Sequence, residues 1–132
     1  MKEYNILETD YNKTLCKTKE AALEKAKENS VLLQECMEKD SFLSQLEESR
    51  RDDFLAFAFN CNMIAAQVRG EFSVALDPDS GASSIVIVSE SFILSHPVSA
   101  LFAKAISYSE YFSAEPVEEN SSKLVLYFHF LF

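Results

Sequence analysis

Apolar residues recur every three or four positions through most of the first half of the chain, and every second position through much of the second half. The longer spacing is typical of a helix with a buried side, and alternation is typical of a half-buried strand. The pattern therefore predicts an α+β fold: two N-terminal helices, over about residues 18–48 and 52–69, and then strand, strand, helix and strand. We expect the helices to pack on one face of a small, mostly antiparallel sheet. Serines alternate with the apolar residues of the first of these strands, so its other face is expected to be wet.

The second predicted helix contains the longest apolar run of the chain, DDFLAFAFNCNMIAAQVRG. Its main apolar stripe at helical spacing consists of Phe54, Phe57, Cys61, Ile64 and Val68. A second stripe lies beside the first, and a helix that is apolar around so much of its circumference is expected to be covered on two sides. We therefore place this helix at the centre of the core. Asp52 or Asp53 can cap its start, and Gly70 is a natural end.

The first predicted helix is rich in strong helix formers, and Asp40-Ser41 inside it indicates a break with a fresh N-cap. In the segment before it, Tyr4 and Ile6 alternate with polar neighbours. Residues 1–17 are therefore expected to form either an edge strand or a loosely packed arm. The length is sufficient to bury a core, so we expect residues 1–132 to form a single domain.

The pattern after the two helices predicts strands around one further helix. The first strand alternates Phe72, Val74 and Leu76 with polar or small residues, and a second strand over 85–88 is apolar on both faces. The segment 77–84 between them is rich in turn-forming residues.

The last quarter of the chain predicts a helix and a final strand. Pro97 fits the first turn of the helix, with Ser95 or His96 as its cap, and the helical spacing continues through Phe112. We expect this helix to end before Pro116. The closing sequence LVLYFHFLF is apolar on both faces, so this strand is expected to be interior to the sheet or paired with another copy of itself.

Charge is the most informative bulk property of the sequence. The net charge is −9, and residues 70–132 carry eight acidic side chains against only Lys104 and Lys123. Such a field repels nucleic-acid phosphates and anionic lipids, so we expect neither nucleic-acid nor membrane binding. A basic protein partner would be attracted. The alternative is that the acidity only keeps the protein soluble.

No motif for catalysis, cofactor binding or metal binding stands out. Cys16, Cys36 and Cys61 form no CxxC pair, and His96 and His129 are far apart in the sequence without a cluster of acids. The chain has two glycines and no phosphate-binding glycine loop. We expect no enzyme activity, cofactor or metal. The N-terminus lacks the pattern of a secretory signal, and the cysteines are read as reduced thiols, so a cytoplasmic location is expected.

The first hypothesis for function is a small acidic module that occupies a basic surface of a partner protein. Immunity proteins, secretion chaperones and phage-encoded inhibitors of host defence have this size and charge. In this hypothesis acidic side chains steer the partner and tyrosines dock on it. The residues expected to do this are Asp77, Tyr108, Glu110, Tyr111, Glu115, Glu118 and Glu119.

Two alternatives belong to other classes of protein. The first is a homodimeric assembly subunit or ligand-binding dimer, joined through the strand between Leu124 and Phe132. The second is a small enzyme with a site that the sequence does not reveal. Oligomeric state separates the dimer from the other two, and activity lost on changing one side chain would identify the enzyme.

Overall fold

A computed structural model describes residues 3–12, 17–90, 95–119 and 122–132. Its elements in chain order are β1 (Tyr4–Asp10), α1 (Lys19–Lys39), a 3-10 turn (Leu43–Gln45), α2 (Glu48–Gln67), β2 (Glu71–Asp77), β3 (Ala82–Ser89), α3 (His96–Tyr108), β4 (Tyr111–Pro116) and β5 (Leu124–Leu131). The predicted α+β class is confirmed, with helices packed on one face of an antiparallel sheet.

The five strands form one sheet in the order β1-β2-β3-β5-β4, and every neighbouring pair is antiparallel. β1 is an edge strand, one of the two alternatives for the N-terminal segment, and its register shifts between Asn5 and Leu7. β5 lies between β3 and β4, so hydrogen-bonded neighbours occupy both of its sides. The described sheet therefore lacks the bare β5 edge that a homodimer through Leu124–Phe132 would need.

The core lies between the helices and one face of the sheet. α2 is at its centre, as predicted, because it packs against α1, α3, β2 and β3. Phe54 and Phe57 from α2 contact Phe130 of β5, with ring centroids 5.4 and 5.2 Å apart. From α3, Phe102 contacts Phe128 with a centroid distance of 5.8 Å. These aromatic contacts hold two helices to the same face of the sheet.

The first two helices have different boundaries from those predicted. α1 ends at Lys39, well before residue 48, and the break predicted at Asp40-Ser41 is confirmed: the carboxylate of Asp40 accepts hydrogen bonds from the backbone N–H groups of Phe42 and Leu43 and starts a separate turn. α2 begins at Glu48, a full turn before residue 52, so neither Asp52 nor Asp53 caps it.

The third helix is shorter than predicted, and the prediction for residues 109–115 is wrong. α3 ends at Tyr108, and residues 111–116 form β4 at the edge of the sheet. The backbone N–H of Glu110 donates to the carbonyl of His129 at 2.8 Å, which begins the pairing with β5. Phe112 points toward the core in this strand, as it would have done in a helix, and packs against Phe102 and Phe128.

The end of α2 is built from Arg69 and Gly70. Arg69 has a φ of 52°, the left-handed conformation that glycine usually adopts after a helix. The N–H of Gly70 donates to the carbonyl of Ala65 at 2.9 Å and closes the turn. Gly70 is needed for space, since a Cβ there would lie 2.6 Å from the carbonyl oxygen of Val88. The end of α2 predicted at Gly70 therefore depends on two residues, Arg69 for its conformation and Gly70 for its small size.

A buried polar network fastens β1 and the residue after it to the helices. The hydroxyl of Tyr11, which is fully buried, donates to the Asn62 side chain of α2. Asn29 of α1 donates to the hydroxyls of Tyr11 and Thr9 at 3.0 and 2.6 Å. Asn62 also donates to the carbonyl of Ala26 at 2.9 Å. Buried polar groups require such partners, so the network specifies where β1 docks.

Candidate protein-docking surface

All three helices pack on one face of the sheet, and we call the opposite side the open face. The strand register places these side chains on it: Asn5, Glu8, Asp10, Glu71, Ser73, Ala75, Asp77, Ala82, Ser84, Val86, Val88, Tyr111, Ser113, Glu115, Val125, Tyr127, His129 and Leu131. None of these residues belongs to the buried core cluster. Four strand spacings of about 4.8 Å make the open face about 19 Å wide.

The charges on the open face have one sign. Its acidic residues are Glu8, Asp10, Glu71, Asp77 and Glu115, and none of its described positions is lysine or arginine. Hydrogen bonds from Ser80 lower the pKa of Asp77, so this carboxylate is charged throughout the neutral range. An acidic surface of this kind attracts cations and basic proteins.

Part of the open face forms a shallow hollow of about 400 Å³ where β1, β2 and β3 meet. Carboxylates of Glu8, Asp10 and Glu71 line it, and Val86 and Val88 supply an apolar part of the lining. The hollow therefore combines negative charge with apolar surface, a combination that suits a long basic side chain with its aliphatic stem.

An aromatic cluster lies at the other side of the open face, on β4 and β5. The rings of Tyr111 and Tyr127 are T-shaped with centroids 6.0 Å apart, and Tyr127 stacks beside His129 at 6.3 Å. The Tyr127 hydroxyl shares a hydrogen bond of 2.7 Å with Ser84 Oγ, which fixes its ring. Tyr111 is 57% exposed, so one aromatic ring of the cluster is available to a partner.

The structure brings together three of the residues that the sequence singled out. Asp77, Tyr111 and Glu115 all lie on the open face, on β2 and β4. Asp77 and Tyr111 lie toward the same end of the strands, separated by β3 and β5.

The other four residues lie outside the open face. Glu110 is exposed immediately before β4, and Glu118 and Glu119 are exposed in the turn that follows it. Tyr108, the last residue of α3, is half-buried and packs against the core on the helical side of the sheet. Tyr108 and Tyr111 therefore do not form one aromatic surface.

Sequence reasoning missed the acids of β1 and the aromatic partner on β5. Glu8 and Asp10 lie in a segment for which the sequence leaves an edge strand and a loosely packed arm both open, and Tyr127 lies in a final strand that is apolar on both faces. The alternation of Glu71, Ser73, Ala75 and Asp77 carried the signal for one side of the sheet. Joining these residues into one surface also requires the order of the strands in the sheet.

The two described cysteines differ in burial. Cys61 is fully buried, and burial raises the pKa of its thiol well above the ordinary value, so it behaves as a small apolar residue. Cys36 is half-buried on α1, and Cys16 lies outside the described residues.

Within the described residues no group of three or more His, Cys, Asp or Glu side chains is placed to hold a metal ion. Across those same residues, none of the helices has the length and apolar character required to cross a membrane.

Comparisons of the chain with protein-family models, with curated proteins and with solved structures found no match.

Proposed function

We propose that this protein is a small acidic protein-binding module that acts in the cytoplasm and occupies a basic surface of a partner protein, as an inhibitor, an immunity protein or a chaperone does. The observation that carries the proposal is the open face, which combines apolar and aromatic residues with carboxylates and has no lysine or arginine at its described positions. A surface of this composition is typical of a docking site for a positively charged protein.

The size of the open face supports this function. It is about 19 Å wide, and six residue steps along β2 give it a length of about 20 Å. The resulting area of about 400 Å² is roughly half of what each partner contributes to a standard protein interface. The exposed acids beside it, Glu110, Glu118 and Glu119, extend the surface at its β4 border.

The proposed mechanism has two steps. Long-range attraction between the acidic face and the basic partner first raises the rate of encounter. Tyr111 and the apolar residues of the open face then make the close contacts that slow dissociation. Affinity is therefore expected to fall as salt screens the first step.

The test is a differential capture from a native lysate. The bait is the wild-type protein or a Glu71→Gln/Glu115→Gln variant, which loses two carboxylates of the open face. The matched control, Glu20→Gln/Glu35→Gln, loses the same charge from exposed positions of α1. We expect a basic protein that the wild type and the control retain, that the open-face variant loses, and that moderate salt releases.

Two results would overturn the proposal. One is the absence of any protein that distinguishes the open-face variant from the control. The other is equal loss from both variants, which would indicate that only total charge matters.

A further inference from the structure

We propose that the partner presents an arginine to the open face, with its guanidinium stacked on the ring of Tyr111. This inference rests on the proposed function, because it names the part of the basic partner that contacts Tyr111. The occupant is a basic segment of another protein that contains arginine.

The aromatic cluster provides a prepared site for a planar cation. Tyr111 is 57% exposed, and Tyr127 supports it in a T-shaped contact, with centroids 6.0 Å apart. Tyr127 is itself held by its hydrogen bond to Ser84 Oγ. A cation within about 6 Å of a tyrosine ring is attracted by the negative face of the ring. Since Tyr127 is already held before binding, little of its side-chain entropy is lost there.

Carboxylates lie around this site before β4, on β4 and at the end of β2. Glu110 directly precedes Tyr111 and is exposed, and Glu115 lies on the same face of β4 about 14 Å away. Asp77 lies toward the Tyr111 end of the sheet, separated by two strands. A basic segment centred on Tyr111 is therefore within reach of three negative charges.

The geometry favours arginine over lysine. A guanidinium is planar and weakly hydrated, so it can stack flat on the exposed ring of Tyr111. An ammonium is compact and strongly hydrated, and it gains less from the ring. The preference expected from one exposed cation–π contact is about two- to fivefold in affinity.

Other occupants fit the surface less well. A second copy of the chain would bring two acidic faces together, which like charges oppose. A nucleic acid would bring its phosphates against the same carboxylates.

The experiment compares two end-blocked peptides of equal charge, octa-arginine and octa-lysine. Each is titrated by fluorescence anisotropy against the wild type, Tyr111→Leu and Tyr111→Phe. The leucine variant keeps apolar volume and removes the ring, whereas the phenylalanine variant keeps the ring. A control variant, Phe59→Leu, changes another exposed aromatic residue, on α2 and away from the open face.

We expect the wild type to bind octa-arginine about two- to fivefold more tightly than octa-lysine. Tyr111→Phe and Phe59→Leu should keep this ratio, and Tyr111→Leu should bring it close to one. Equal affinities for the two peptides in the wild type, or an arginine preference that survives in Tyr111→Leu, would overturn the arginine inference alone. Binding of neither peptide at low salt would overturn the proposed function as well.

Discussion

At the scale of single residues, the end of α2 needs two properties of glycine, a left-handed conformation and a small size, at two different positions. Arg69 has the left-handed backbone conformation, and Gly70 has the tight contact with β3. A side chain in the left-handed region is strained by its own backbone. A side chain at Gly70 would be strained by the carbonyl oxygen of Val88. The two positions should therefore respond in opposite ways to substitution.

We expect Arg69→Gly to stabilise the protein by about 1 kcal/mol, less than the full left-handed penalty, because glycine also gives the unfolded chain more freedom. Arg69→Ala, which removes the charge and keeps the Cβ, should give no such gain. Gly70→Ala should cost about 2 kcal/mol or more, because its Cβ would be 2.6 Å from a backbone atom. Urea unfolding midpoints measure all three variants. A gain in Arg69→Ala equal to that in Arg69→Gly would assign the effect to charge instead of backbone strain.

Tyr4 connects β1 to the corner after α1, and its ionisation should report on that contact. Its hydroxyl donates to Asp40 at 2.5 Å. Burial, and then the hydrogen bond and negative charge of Asp40, raise the pKa of Tyr4 from 10.0 to about 12. A pKa that is higher in the folded state means that the folded protein holds this proton more tightly than the unfolded chain. The stabilisation is therefore complete below pH 10 and is lost as the pH rises toward 12.

The test is the pH dependence of urea unfolding for the wild type and Tyr4→Phe. The phenylalanine variant cannot ionise at this position, so the wild type should lose stability relative to it between about pH 10 and 12. Every other side chain is the same in the two proteins, so its contribution cancels in the comparison. Parallel curves across this range would show that the contact with Asp40 does not perturb Tyr4.

At the scale of elements, polar side chains fasten β1 to the helices in addition to its apolar contacts and its pairing with β2. Tyr11→Phe removes the hydroxyl that contacts Asn29 and Asn62, and leaves these buried amides short of a partner. We expect a loss of about 1–3 kcal/mol in the free energy of unfolding, and faster hydrogen exchange of the β1 amides. Tyr111→Phe is the matched control, since that tyrosine is exposed and should change stability by less than about 0.5 kcal/mol. Equal stability of the two variants would mean that the network does not fasten the strand.

The elements that the sequence predicted well are those whose burial repeats at one period. α2 and β5 are examples, because their apolar stripes are long and continuous. β4 was missed because Phe112 falls inward both at helical spacing from Phe102 and in a strand. Pairing with β5 selects a strand instead of a helix here. The local spacing of apolar residues does not show this contact, because the two strands are distant in the sequence.

The candidate site, like the fold, could be predicted only in part. The side of each strand on which Asp77, Tyr111 and Glu115 lie follows from alternation once the strands are known. Their assembly into one surface requires the strand order, in which β5 separates β3 from β4. The sequence carries the composition of the open face, and the pairing of distant strands decides which residues share it.

At the scale of the whole molecule, the charge is distributed so that one side of the protein differs from the other. α1 and α2 carry residues of both signs, with Lys27 near Glu24 and Arg50 near Asp53 at 3.4 and 3.1 Å. Exposed pairs of this kind add little stability. The described positions of the open face hold five acidic residues and no lysine or arginine. The resulting field should orient a basic partner toward the open face before contact.

Steering of this kind is a kinetic property, so we test it with the rate of association. Glu118→Lys/Glu119→Lys reverses two exposed charges beside the open face without changing a residue on it. We expect the protein retained in the differential capture to associate about threefold or more slowly with this variant at low salt, and the difference to shrink as salt is added. Dissociation should change little, because the close contacts remain.

Glu20→Lys/Glu35→Lys on α1 is the control of equal charge, and it should slow association less. Equal slowing by both variants would show that net charge, and not its placement, guides the partner.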